Sequence, residues 1–389
     1  MARKRGNNEG TIYRRKDGRW EASITLGRDP AIGKLKRASF YGKTRQEAAE
    51  LLVRALGDLQ RGAFVAPHKL TVGTWLDTWL HEYKKPAVRP LTFDSYEALI
   101  RCHIKPAIGH LAAQELRPEH VQRLYNDTLK AGLAPRTVRY IHAVIHGALE
   151  DAMKHQLVVR NVSDATILPG DVKREMQPLT LTQVRQLLAA IEQDRLFPAV
   201  LLELGTGLRR GELLALRWQD LELQRGLLQV QHTLERVRNH EATGNDKKTR
   251  LIFQEPKTAR ARRTIPIPQD SLEALKRHKA RQSQERLLLG EAYQDRGLVF
   301  CLPDGTPLEP RNFTRHFDGL LKQAGLPHIR FHDARHTFAT LLLELGEHPK
   351  TVQTLLGHSR IATTLDIYSH VSLELETRAA DRLNAALRG

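Results

Sequence analysis

Apolar residues change their spacing along this chain, and each change predicts a different kind of element. Between Thr11 and Leu26 they alternate. A first strand runs through Tyr13, Asp17-Gly18 makes a turn, and Trp20, Ala22, Ile24 and Leu26 share one face, which predicts a β-hairpin. A third strand is expected from Leu35 to Tyr41. Thr44 with Glu47 three residues on forms a capping box, opening a helix whose apolar side carries Leu51, Leu52, Ala55, Leu56 and Leu59. Ala63 to His68, with Pro67, reads as a linker. From Leu70 to about Val162 the period is helical: Val72, Trp75, Leu76 and Trp79 recur at helix spacing, as do Val138, Ile141, Ile145, Leu149 and Ala152. Pro106 and Gly109 read as breaks between helices, and Pro135 as a helix start.

Val162 to Gln177 reads as a second linker. Thr180 with Gln183 is another capping box, starting a helix through Val184, Leu187 and Leu188. A Gly-rich turn and helix near 205–217, a strand-rich stretch near 226–268 and further helices follow. Val371 to Leu387 reads as a short amphipathic helix with Leu373, Leu375 and Leu383. The expected fold is multidomain α+β. It comprises a small three-stranded sheet plus helix (1–62), an all-helical domain (70–162), and a mixed, mostly helical domain with a small antiparallel sheet (178–389).

Charge adds a partner. The 389 residues hold 61 Lys and Arg against 44 Asp and Glu, a formal charge of +17, which favours nucleic acid or an anionic membrane surface. No run of about 18 apolar residues exists and no apolar signal core follows the basic N-terminus, so a soluble, cytoplasmic protein is expected, with no membrane partner. The first 62 residues alone hold 15 Lys and Arg against 7 Asp and Glu. Arg14, Arg15, Lys16 and Arg19 crowd the first hairpin, next to the tail Arg3-Lys4-Arg5. They are expected to contact DNA, with a solvated basic turn as the alternative. Arg101, Lys105, Arg136 and Arg139 in the helical segment are candidates for gripping phosphates, or are simply solvated. Cys102 and Cys301 lie far apart with no CxxC partner and read as buried structural thiols rather than a disulfide or zinc framework.

Four islands in the last segment carry candidate chemistry. The first runs from Thr206 through Gly207, Arg209 and Glu212 to Asp220. Arg209 at the start of a helix is a natural anion site, and Glu212 three residues on can orient it. The second, Pro256-Lys257-Thr258-Ala259 followed by Arg260, Arg262 and Arg263, reads as a hairpin with Lys257 near its tip. In the third, His332, Arg335 and His336 fall at i, i+3 and i+4 on one helix face, with Phe331, Ala334, Phe338 and Leu341 mostly on the other. The His pair invites a zinc reading, but Arg335 lies between the histidines and no third ligand is evident. The fourth runs from Leu355 through Gly357, a helix stop, and His358 to Tyr368. Any one of these residues has an ordinary structural explanation. Together, two arginines, two histidines, a lysine and a tyrosine are the parts needed for metal-free attack on a phosphodiester: cations for the phosphorane's extra charge, a nucleophilic oxygen, and a mobile acid for the leaving sugar oxygen.

The islands TGLRRGELLALRWQD, PKTARARR, HDARH and LGHSRIATTLDIYSH, in this order and spacing, resemble the catalytic domain of the tyrosine recombinases over about 178 to 371. Within that family the chain is most similar to integrases of temperate phages and conjugative transposons. The N-terminal sheet plus helix resembles their arm-type DNA-binding domain, and 70–162 their SAM-like core-binding domain. The resemblance implies that Arg209 and Arg335 clamp the phosphate, Lys257 is the general acid, and His332 assists proton removal from the tyrosine. It makes His358 a second donor to the phosphate and Tyr368 the nucleophile, with Glu212 and Asp220 in support. It also implies a homotetramer acting on double-stranded DNA attachment sites of core and arm type through a Holliday junction. No metal, nucleotide or other cofactor is implied, while a directionality factor and a DNA-bending host protein are conceivable partners. Ala334 departs from the usual Leu, and Asn161 lacks the Pro that often follows; neither removes a catalytic group. Competing readings are a type IB topoisomerase, a non-catalytic DNA-binding regulator and a zinc hydrolase.

Overall fold

The computed structural model describes residues 10–28, 33–60, 64–65, 69–170, 177–244, 246–256, 261–368, 380–381 and 383–388, with the backbone alone at 367–368. The chain forms two compact units, Met1–Lys173 and Arg174–Gly389.

In the first unit, β1 (Thr11–Arg14), β2 (Trp20–Arg28) and β3 (Leu35–Gly42) form an antiparallel sheet in that order. Asp17-Gly18 makes the β1–β2 turn, with Gly18 at φ +85°, a conformation that favours glycine. Helix α1 (Arg45–Gln60) backs the sheet, and its capping box is formed: Thr44 Oγ1 accepts from Glu47 N at 3.1 Å, and Glu47 Oε2 accepts from Thr44 N at 3.4 Å. Ala22, Ile24 and Ala38 of the sheet meet Ala48, Leu52 and Ala55 of the helix. The helix face turned inward is narrower than the sequence pattern suggests. Leu51 and Leu59 are exposed, because Ala48, Leu52 and Ala55 already span the contact with so small a sheet.

Residues 64–65 precede a helical stretch made of α2 (Val72–Thr78), α3 (Pro90–Leu99), α4 (Lys105–Ile108), α5 (Pro118–Lys130) and α6 (Pro135–Lys154). All nine of the stripe residues expected in its core are buried. Pro106 is not a break. The backbone stays helical through Ile100–Ile104 as a π-type turn and continues into α4. Proline has no N–H and its ring crowds the carbonyl four residues back, and a widened turn just before it relieves both problems. The same turn corrects the reading of Cys102, which is exposed. Ile100 and Ile104 face the core, and two residues of helical rotation carry Cys102 to the far side. Cys301, by contrast, is buried. Val162 is no linker residue either: Val162–Ala165 is a 3₁₀ turn capped by Asn161, and Val162 and Ser163 are packed away from solvent.

In the second unit come α7 (Leu181–Ala190), α8 (Phe197–Thr206) and α9 (Arg210–Ala215). The strands are β4 (Leu221–Glu222), β5 (Leu227–Gln229), β6 (Thr233–Arg238), β7 (Thr249–Gln254) and β8 (Thr264–Pro266). Helices α10 (Gln269–Leu289), α11 (Pro310–Gln323), α12 (Phe331–Glu344), α13 (Pro349–Leu356) and α14 (Ala362–Tyr368) complete it. The Thr180–Gln183 capping box is present. β4, β5 and β8 form one small antiparallel sheet, while β6 and β7 form a separate ribbon. The expected hairpin around Lys257 is therefore not a pair of neighbouring strands. β7 pairs with β6, and β8 leaves it to set Ile265 opposite Leu228 inside the main core. Gly211 lets α9 lie against β6: a Cβ there would meet Thr233 Oγ1 at 2.3 Å and Leu234 O at 3.0 Å. The expected tail helix falls partly outside the described residues; of it, Leu383 and Leu387 are exposed.

Candidate active site

Arg209 is the residue at which α9 begins. Its backbone is extended (φ −70°, ψ 148°), and Glu212 closes the helix start by accepting from Arg209 N at 3.0 Å and from its Nη1 at 2.7 Å. The guanidinium remains part-exposed at the end of a helix whose free N–H groups favour an anion. Glu212 is buried, and Arg263 also binds it, Nη2 to Oε2 at 2.9 Å and Nη1 to Oε1 at 3.3 Å. Burial works to raise the carboxyl's pKa, but Arg263 and then Arg209 outweigh it and hold the group below the usual carboxylate range. Glu212 is therefore an ionised strut between two arginines.

Arg335 is held differently. Only 2% exposed, it donates from Nη1 to Gly207 O and from Nη2 to Leu356 O, both at 2.5 Å. Gly207 ends α8 and Gly357 ends α13, both in the left-handed conformation (φ +61° and +65°). One guanidinium thus meets the carbonyl ends of two helices, where unpaired acceptors and the helix dipole favour a cation. Gly207 admits no side chain: a Cβ would lie 2.5 Å from Phe338 Cδ1 and 2.8 Å from Leu356 Cδ2. Burial, then Arg209, lowers the Arg335 pKa, yet it remains above neutrality, at about 9.

The histidines frame these arginines. His358 is fixed from both sides by Gln353, whose carbonyl accepts from His358 N at 3.2 Å and whose Nε2 donates to His358 O at 3.1 Å. Its Nδ1 lies 3.0 Å from the buried Thr364 hydroxyl of α14. With that hydroxyl as donor, Nε2 carries the proton and is left as a donor. Burial, then Arg335 and Arg209, push its pKa down to about 3, so the ring is neutral. His332, on the first turn of α12, is open to solvent, but its crowded surroundings and then Arg335 lower its pKa as well. The His336 ring stands edge-on to it, centroids 5.1 Å apart, and is pushed down to about 4.

Arg335 and Arg209 thus act on both His332 and His358, and Arg209 acts on Arg335. Asp220 does something else: it accepts from Arg217 N at 3.0 Å and caps the short turn Trp218–Asp220. Lys257 and the Tyr368 side chain lie outside the described residues; the Tyr368 backbone ends α14, one turn beyond Thr364. Gln353 and Thr364 were not singled out by sequence, and Arg263 was named in the second island without a role. Arg263 left one signal: with Ile265 and Ile267 it shares the inward face of the β8 segment, an unusual place for a charge.

Several candidate DNA-binding residues have acidic partners. Arg15 pairs with Glu21 at 3.1 Å and Arg19 with Asp17 at 3.0 Å. Arg101 pairs with Glu97 at 2.8 Å and Lys105 with Asp77 at 2.7 Å. Arg14, Lys16 and Arg136 are exposed, and Arg139 has a buried Nε without a hydrogen-bond partner among the described residues. Among the described residues His146, Glu150 and Asp164 have the spacing of a metal-ligand set. However, His146 already pairs with Asp164 at 3.0 Å, and Glu150 accepts from Asn161 at 3.1 Å.

Fold and site define a class: an enzyme with a cluster of arginines and histidines suited to phosphodiester chemistry, set in a mostly helical domain. The chain belongs to the phage integrase family, which residues 177–374 match, with 71–129 matching the family's N-terminal SAM-like domain. It is a site-specific DNA recombinase, a DNA strand transferase. A "Tyrosine recombinase XerC-like" protein of Caldanaerobacter subterraneus subsp. tengcongensis is 33% identical over 94% of this chain and 95% of its own. In fold, the chain is similar to the Tn1549 transposon integrase solved with transposon right-end DNA (TM-score 0.67, 23% identity, 81% of this chain and 99% of that one). It is also similar to a lambda integrase tetramer bound to a Holliday junction (TM-score 0.54, 21% identity, 94% and 96%).

Proposed function

We propose that this recombinase integrates, and also excises, a mobile element by cutting and rejoining DNA through a 3′-phosphotyrosine on Tyr368. The observation that carries this reading is that the carbonyls of Gly207 and Leu356 hold Arg335, and that Arg335 and Arg209 both act on His332 and His358. In the proposed reaction the two guanidiniums and His358 Nε2–H bind the non-bridging oxygens of the scissile phosphate, and their field strengthens as the phosphorane gains charge. The Tyr368 oxygen attacks phosphorus, giving its proton to neutral His332. The bond to the 5′ oxygen breaks, and that oxygen takes a proton from Lys257. The reverse step, with a partner strand's 5′ hydroxyl as nucleophile, restores the backbone. The phosphotyrosine conserves the bond energy, so no nucleotide is consumed. Glu212 and Asp220 support the site through Arg209, Arg263 and the Arg217 backbone.

On this reading 1–62 binds arm-type sites, 70–162 grips core sites and 178–389 is catalytic, in a bacterial cytoplasm. Four copies would join two duplexes through a Holliday junction, the state in which lambda integrase was solved. A directionality factor and a DNA-bending protein would be accessory partners. The decisive experiment traps the covalent complex on nicked core-site DNA. Tyr368→Phe should form none while binding DNA nearly as well, and a normal yield from the variant would sink the assignment. A two-site recombination assay beside plasmid relaxation separates this reading from a type IB topoisomerase.

A further inference from the structure

Helix α8 carries a charge in an unusual place. Glu203 lies one turn before Gly207 and is 1% exposed, and neither of its carboxyl oxygens has a hydrogen-bond partner among the described residues. Its own carbonyl accepts from Gly207 N at 2.7 Å, and the Gly207 carbonyl in turn holds Arg335. Glu203 is thus one hydrogen bond removed, along the backbone, from the residue that positions the guanidinium.

Among the described residues, Arg335 is the one charged group that acts on Glu203. Burial drives its pKa well above the ordinary carboxyl value, and Arg335, on the α12 helix packed against α8, pulls the other way. Helix α10 also packs on α8. Its titratable His278 meets Val299 O at 2.8 Å and answers to Arg281, Arg195 and Glu285, not to Glu203. Glu212, the other buried glutamate of the site, is taken by Arg209 and Arg263.

We propose that Glu203 is a positioning residue for Arg335, protonated while the site works, so that the arginine's charge is left to the DNA phosphate. With Glu203 neutral, Arg209, Arg263 and Arg335 set against Glu212 leave two positive charges for a doubly negative phosphorane. With Glu203 ionised, one is left. Carboxylate and phosphate compete for the same guanidinium, so a phosphate arriving at Arg335 draws a proton from solvent onto Glu203 wherever that group has ionised. Alkaline pH should therefore weaken the site through a residue that never touches DNA.

The inference rests on the proposed role of Arg335 as a phosphate clamp. The test measures the rate of covalent-complex formation on nicked core-site DNA across about pH 6 to pH 10. It uses the full chain, wild type against Glu203→Gln, with Arg335→Lys in parallel. The permanently neutral glutamine should move the alkaline fall in rate upward by about one pH unit or more. Superimposed profiles, no alkaline fall in the wild type, or a fall that moves downward would each overturn the proposal. Should Glu203→Gln fail to melt cooperatively, Glu203→Met supplies a neutral side chain of similar volume and must give the same upward shift. If Arg335→Lys keeps the wild-type rate, the clamp reading fails. If it loses that rate and the profiles still superimpose, only the role of Glu203 fails.

Discussion

Arg263 reaches Glu212 with both terminal nitrogens, at 2.9 and 3.3 Å, and each partner is almost wholly buried. The same carboxylate orients Arg209. One glutamate thus sets two arginines, and removing its charge leaves one of them buried without a counter-ion.

Glu212→Gln keeps the shape and deletes the charge. Breaking one side of a buried pair costs about 3–5 kcal/mol. We expect a fall in unfolding free energy of that size in denaturant titrations, together with a large loss of cleavage. Adding Arg263→Met should recover part of the stability, and strict additivity of the two changes would argue against a coupled pair.

Lys257→Ala should slow cleavage of ordinary DNA and spare a substrate whose 5′ leaving group is a thiolate. A good leaving group needs no proton, so the two substrates separate a general acid from a phosphate ligand. Single-turnover rates on both substrates decide it, and equal slowing would count against the acid.

Acid should destabilise this fold through its buried histidines. His278 is pushed from 6.5 down to about 4, mainly by burial. The unfolded chain therefore binds a proton that the folded one refuses, and stability drops as pH falls from about 6.5 to about 4. That window corresponds to about 3 kcal/mol for His278 alone. His336 and His358, less buried, act in the same direction. Thermal melts at pH 7 and pH 5 should show a smaller acid loss for His278→Gln than for the wild type.

Deleting residues 1–62 should abolish binding to one class of DNA site and leave core-site cleavage intact. If the full chain engages about ten phosphates, its log affinity should fall with log salt at a slope of roughly −9, and the deletion should flatten that slope. Unchanged binding to every attachment-site segment would refute the arm assignment.

Much of this was legible because the signals are local. The alternation at Trp20, Ala22 and Ile24, the capping boxes at Thr44 and Thr180, and the three-residue step from Arg209 to Glu212 need only neighbours along the chain. Strand partners were not: nothing in PKTARARR says that β7 turns to β6 while β8 joins β5, because pairing is decided by distant residues. The widened turn before Pro106 was equally hidden, since apolar spacing does not report which carbonyl an N–H meets. Glu203 was visible as a lone acid between Leu202 and Leu204, but its meaning depends on Arg335, 132 residues later.

Arg335 ties the carbonyl end of α8 to that of α13, elements separated by well over a hundred residues. The arginine proposed to hold the scissile phosphate is thus also a fastener that closes only when both ends of the domain have arrived. A chain still emerging from synthesis, or clipped before α13, would have no second carbonyl for this guanidinium and would lack His358 as well. If Arg335 holds the phosphate as proposed, its seat exists only once α13 has folded.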